Sequence, residues 1–310
     1  MDGTEAAALT RDVLSDYDAA EPARTASALR EIWLRAAPAQ AIPLAAGQKA
    51  FVREWGIAQT EFVAAGTPVP VLSSMGKEIG RLGRKHIPEL LPLIRLLWDE
   101  YGREGRLVAV VALGPMELEE PEAVVPVVYA MARTCVFWED CDQLAMRALE
   151  PVLRRDPEAW LGRLGAWVID DSKWVRRAAL TAIGRLPMKQ AVYTQRCVES
   201  LAPALGDSDI DVKRALSFAL RVCARGDTAP VRQFILAHQA VRDVHSLWVL
   251  CDVVRSMTRT LLPQFAGLLP VYRAWLDQAE PQARRSVEAA VRLLEGLAVL
   301  ECGSHAAAFP

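Results

Sequence analysis

Apolar and polar positions along this chain alternate with a helical period almost everywhere. In P-E-L-L-P-L-I-R-L-L-W-D-E-Y (88–101), Leu, Ile and Trp recur at three- and four-residue spacing and the charged residues gather on the other face. Strand-length runs of alternating Val, Ile, Thr and aromatic residues are missing. The one candidate, P-V-P-V-L at 68–72, is bounded by prolines and runs into a helical pattern. The pattern predicts an all-α chain of about fifteen helices of about 10–18 residues each. Short Gly, Pro and Asp punctuation separates them.

The helical pattern repeats. L-G-A-W-V-I-D-D-S-K-W-V-R-R-A-A-L-T-A-I-G-R-L spans 164–186, and 37 residues on, L-A-P-A-L-G-D-S-D-I-D-V-K-R-A-L-S-F-A-L-R-V-C spans 201–223. Leu164 matches Leu201, Asp170 matches Asp207, Val175 matches Val212, Arg176-Arg177 match Lys213-Arg214, and Ala178 matches Ala215. Weaker copies lie at 102–113 and 138–149, again about 36 residues apart. A two-helix unit of this length cannot bury its apolar stripe alone, so neighbours stack into one continuous core. An Asp before each second helix can cap its free N–H groups, and the small Ala after the basic pair allows close helix contact. The period and the Asp–Val–Arg character resemble HEAT repeats. The expected architecture is a curved α-solenoid of HEAT-like repeats over 46–310, with the strongest repeat signal at 138–240. Residues 1–45 carry seven acidic side chains against four Arg and are expected to form an N-terminal helical cap. It ends in the linker A-P-A-Q-A-I-P at 37–43.

Composition narrows the function. The net charge is −2 and about half the chain is apolar (52%), as in ordinary folded proteins. The longest apolar stretches, such as L-V-A-V-V-A-L at 107–113, are too short to span a bilayer. The acidic N-terminus shows no secretory signal, so a cytoplasmic protein without membrane attachment is expected. The six cysteines form no C-x-x-C and read as reduced core residues. The four histidines are scattered; His238 and His245 lie seven apart without a third ligand nearby, and no metal site is expected. P-loop, dinucleotide and nucleophile-elbow motifs are absent. Charge is uneven, however. Residues 147–232 hold fifteen Lys/Arg and ten Asp/Glu. Arg176-Arg177 and Lys213-Arg214 take equivalent places in successive repeats and, with Lys173 nearby, form a candidate phosphate track. The same cations could equally pair with the Asp turns of the next repeat.

The run F-W-E-D-C-D at 137–142 gathers chemistry-bearing residues in an otherwise bland region. Two readings stand. Carboxylates suit the first turn of a helix, where the dipole is positive. Alternatively, Trp138 and Asp142, four apart and on one helical face, form a site. Trp160, Trp167 and Trp174 are expected in the core.

Taken in order, G-T-P-V-P-V-L-S-S-M-G-K-E-I-G (66–80), L-L-W-D-E-Y-G-R-E-G-R-L-V-A (96–109), W-E-D-C-D, K-W-V-R-R-A-A-L (173–180) and K-R-A-L-S-F-A-L-R (213–221) resemble the AlkD-like DNA alkylation-repair glycosylases. The resemblance covers about 48–240. It implies a monofunctional N-glycosylase that excises cationic N3- or N7-alkylated purines from double-stranded DNA, without metal or cofactor. It places Trp138 and Asp142 at the chemistry, with a second aromatic from a later repeat completing a cleft. That position falls on Phe218, where the family more often has Gly-Trp. The resemblance places Arg177, with Arg176, near the DNA backbone, and Arg221 closes the same motif as Phe218. It further implies that the lesion stays in the duplex while protein contacts sugar and phosphate. A damage-binding scaffold that no longer cuts, and a protein-interaction solenoid, are the alternatives. The chain ends are compatible with a monomer.

Overall fold

The structure is a computed structural model that describes residues 1–38 and 65–306, with side chains described through residue 297. Among the described residues every regular element is helical. The chain divides into two compact units, 1–152 and 153–310. The expected boundary at 45/46 and most of the 37–43 linker lie outside the described residues.

The first unit holds α1 (Gly3–Ser15), α2 (Pro22–Ala36), α3 (Val69–Gly83), α4 (Ile87–Glu100), α5 (Gly102–Glu119), α6 (Pro121–Arg133) and α7 (Trp138–Leu144). A π-helical turn, Ala145–Leu149, carries α7 into α8 (Glu150–Arg155). The N-terminal helices dock on the repeats: Arg11 pairs with buried Glu78 at 2.9 Å, Thr67 Oγ1 donates to the Trp33 carbonyl, and Tyr17 donates to the Glu89 carbonyl. α3 lies hard against α5. A Cβ on Gly76 would stand 2.6 Å from the Val111 Cβ, so only glycine permits this approach. Trp98 fills the core of α4 and donates its indole N–H to Thr134 Oγ1.

The second unit holds α9 (Pro157–Trp167), α10 (Lys173–Arg185), α11 (Thr194–Leu201), α12 (Ile210–Cys223), α13 (Thr228–Ala237), α14 (Val244–Arg255), α15 (Leu269–Gln278) and α16 (Pro281–Ala306). Second helices α10, α12 and α14 pack side by side. The Cβ of a residue at Gly184 would sit 2.5 Å from the Ala219 Cβ, which shows how tightly α10 meets α12.

Long-range hydrogen bonds record the repeat directly. Trp98–Thr134, Gln190–Arg154, Thr228–Gln264, Arg242–Gln278 and Trp275–Gln239 each join residues 36 apart. The helices are less uniform than their periodicity predicts, from six residues in α8 to 26 in α16. The Asp turns also differ in detail. Asp209 accepts from Asp211 N as a true N-cap, whereas Asp170 and Asp207 accept from Ser172 N and Asp209 N, ordering the turn ahead of the helix. Further caps come from Asp156, Asp227 and Asp243.

Candidate active site and its surroundings

In the first unit, Phe137 is the N-cap of α7, in extended conformation, and its side chain is buried. Its ring lies 5.4 Å from that of Trp138, tilted by 43°. Trp138 thus leaves the core on an aromatic footing and remains 37% exposed, unusual for so large an apolar side chain. One turn on, Asp142 is half-buried. Cys141 is completely buried, so the thiol of F-W-E-D-C-D belongs to the core.

The two remaining carboxylates of the run do more than sit near a helix dipole. Glu139 pairs with Arg103 at 3.0 Å, and Asp140 pairs with Arg106, both arginines coming from the start of α5. Burial pushes the Asp140 carboxyl upward, opposed by the Arg106 guanidinium that binds it. The Arg106 guanidinium also lies 5.0 Å from the Trp98 ring centre. These clamps tie α7 to the preceding repeat. Their offsets of 36 and 34 residues match the repeat, which is the signal by which Arg103 and Arg106 could have been found. Beside them opens a cleft of about 730 Å³, bordered by Trp33, Tyr101, Phe137, Arg103 and Asp140. The π turn follows α7 immediately; such turns insert a residue and re-aim the helix after them.

In the second unit the candidate cations fall into two sets. Lys173 reaches Asp211 at 2.9 Å and Asp209 at 3.6 Å; Arg176 binds Asp207 at 2.7 Å. Arg177 is buried and donates to the Asp211 carbonyl at 3.0 Å. Asp211 is itself buried, and desolvation raises its carboxyl against the pull of Lys173 and Arg177. These three cations therefore serve the inter-repeat pairing that the sequence left open. Lys213 lies 3.3 Å from His245 Nδ1 and over the Trp248 ring, while Arg214 is exposed. Phe218 is half-buried, with the Arg221 guanidinium 5.7 Å from its ring centre.

The tryptophans divide. Trp160 is buried as expected, with the Arg163 guanidinium 3.9 Å from its ring centre. Trp167 is half-buried, and so is Trp174, under the Lys173 ammonium at 4.6 Å. The expectation of core positions for Trp167 and Trp174 is corrected here: both stand at helix ends, where burial is partial. His238 Nδ1 lies 2.7 Å from the Phe234 carbonyl. Among the described residues no cluster of three His, Cys, Asp or Glu could hold a metal ion, and no helix is long and apolar enough to cross a membrane.

An all-α array of stacked two-helix units, with an exposed Trp and a carboxylate on one turn, defines a helical-repeat protein with a candidate site on a second helix. Residues 36–247 match the DNA alkylation repair enzyme family, and the chain belongs to that family. It is also 25% identical over 227 residues to a probable coatomer subunit gamma of Caenorhabditis elegans, a match covering 71% of this chain. The chain spans about a quarter (26%) of that relative's length. A designed armadillo repeat protein solved with the peptide (KR)4 aligns over 79% of this chain and 98% of its own, at 17% identity and a TM-score of 0.30.

Proposed function

We propose that this repair-family protein is a DNA N-glycosylase that hydrolyses the glycosidic bond of N3- or N7-alkylated purines. Such a base carries positive charge and is already a good leaving group. Its departure builds an oxocarbenium-like sugar, which a carboxylate stabilises while orienting the attacking water. Asp142 is assigned that role. The face of Trp138 favours an adjacent cation and keeps bulk water away. Phe218 is the second aromatic that the family resemblance assigns to this chemistry; it keeps a ring face but lacks the indole N–H. The chemistry requires no metal.

The observation that carries the reading is the pair itself. A large aromatic stands in solvent one turn from a half-buried carboxylate, on a helix braced by two ion pairs. The exposed part of the Trp138 ring leaves an aromatic face accessible to a cationic sugar beside the carboxylate. The test is release of free 7-methylguanine or 3-methyladenine from a methylated duplex, followed by chromatography. Release above the enzyme-free rate is expected, and Trp138→Ala should lower it by about 10–100-fold, within the range of a lost transition-state contact. Duplex binding without release of any alkylpurine would favour the damage-binding scaffold.

A further inference from the structure

Charge in the second unit is segregated along the helices. Helices α10, α12 and α14 run in the same direction, because their contacts stay in register. Lys173 meets Asp211 near the N-terminal ends. Gly184 meets Ala219, and Ser217 Oγ donates to Asp252. Arg221 donates to the Ser256 carbonyl near the C-terminal ends. All three C-termini therefore share one edge.

The two edges differ in kind. At the N-terminal edge Lys173, Arg176 and Arg177 are matched by Asp207, Asp209 and Asp211. At the C-terminal edge each helix closes on two cations four residues apart: Arg185 and Lys189, Arg221 and Arg225, Arg255 and Arg259. Gly226 presses on Pro187, where a Cβ would meet the carbonyl oxygen at 2.6 Å, so the first two pairs are neighbours. Lys189, Arg225, Arg255 and Arg259 are exposed and Arg185 is half-buried. Among the described residues none of these five forms an ion pair. Asp227 caps α13, and Asp252 accepts from Ser217 and Ser256 while acting electrostatically on Arg221. Arg221 has a buried Nε with no acceptor. A helix dipole attracts cations within its last turn, which suits Arg185, Arg221 and Arg255. It does not account for Lys189, Arg225 and Arg259, which lie beyond the helix ends.

We infer that this edge is a phosphate-binding track whose occupant is the backbone of duplex DNA. The inference rests on the DNA-repair reading and names the surface that would grip the duplex. Neighbouring helices lie about 8–10 Å apart. Three pairs therefore span about 20 Å, or about six base-pair steps at about 3.4 Å each. Exposed cations in line on three successive repeats present positive charge along one edge, as binding to a duplex backbone requires.

The experiment compares the full-length protein with a Lys189→Ala/Arg225→Ala/Arg259→Ala variant. Affinity for an undamaged duplex is measured by anisotropy across a salt series. The three side chains are exposed and hold no partner among the described residues, so the melting temperature should not move. Each lost phosphate contact lowers the slope of log K against log salt by about 0.9, so a drop of about 2–3 is expected. A folded triple variant with the wild-type slope would overturn the track and leave the glycosylase reading standing. If the wild-type protein shows no salt-dependent duplex binding, the track and the DNA-repair reading fall together. Single-stranded DNA bound more tightly than duplex would also overturn the assignment.

Discussion

Individual side chains in this protein carry stability consequences that the apolar pattern conceals. Glu117 is completely buried on α5, and neither carboxyl oxygen has a hydrogen-bond partner among the described residues. Burial pushes its carboxyl well above the usual range, favouring the neutral form in the folded protein. A raised folded-state value means stability present at low pH is lost as pH rises through that value. Glu117→Met should therefore stabilise the protein at pH 7, by about 1–3 kcal/mol. The pH-linked part of that gain should vanish at about pH 3, below the ordinary Glu value of 4.5, where the unfolded carboxyl is protonated too. Denaturant titrations at the two pH values check this; equal gains at both would contradict it. Cysteines behave similarly, with burial pushing Cys197 and Cys251 up to about 12, which makes them inert thiols. Arg177 is the other instructive residue. Its burial beside Asp211 predicts that Arg177→Ala costs about 1–3 kcal/mol of stability, whatever it does to DNA affinity. An unchanged melting temperature would show that the pairing with Asp211 is not structural.

At the scale of elements, the helices were legible because their apolar spacing is a direct consequence of one-sided burial. The second-helix starts near 102, 138, 173, 210 and 244 follow the repeat that the Asp–Val–Arg pattern announced. Other features were not legible, for reasons of packing. The π turn after α7 has no residue signature of its own in A-M-R-A-L. The Arg103–Glu139 and Arg106–Asp140 clamps needed the register between repeats before either partner had meaning. The candidate pair Trp138 and Asp142 was visible as a four-residue spacing, but the exposure of Trp138 was not, because nothing in the sequence says which face is covered. Close helix approach makes its own prediction. Gly184→Val places a branched side chain against Ala219 and should cost about 1–3 kcal/mol by overpacking. A thermal melt that did not shift would mean that α10 and α12 can part without penalty.

For the molecule as a whole, a net charge of −2 says nothing of nucleic acid, yet cations are distributed by position and not by total. Residues 147–232 hold fifteen Lys/Arg, and the pairs at 176–177 and 213–214 are expected from the sequence to line up in one row. Within the second unit Lys173, Arg176 and Arg177 pair with Asp207, Asp209 and Asp211 at one edge, while at the other Arg185, Lys189 and Arg225, with Arg255 and Arg259 beyond residue 232, form no ion pair among the described residues. Pairing across repeats decides this, and sequence spacing alone supports either arrangement. The chain belongs to the DNA alkylation repair family, and duplex DNA is the partner proposed for these cations. That membership leaves the reaction to be tested at Trp138 and Asp142.

The most direct test is single-turnover release of 7-methylguanine from a duplex, comparing wild type with Asp142→Asn while duplex affinity is measured in parallel. The account predicts that Asp142→Asn lowers release at least about 100-fold, as expected for a lost electrostatic group in the transition state, with affinity nearly unchanged. Release by Asp142→Asn at the wild-type rate would contradict it.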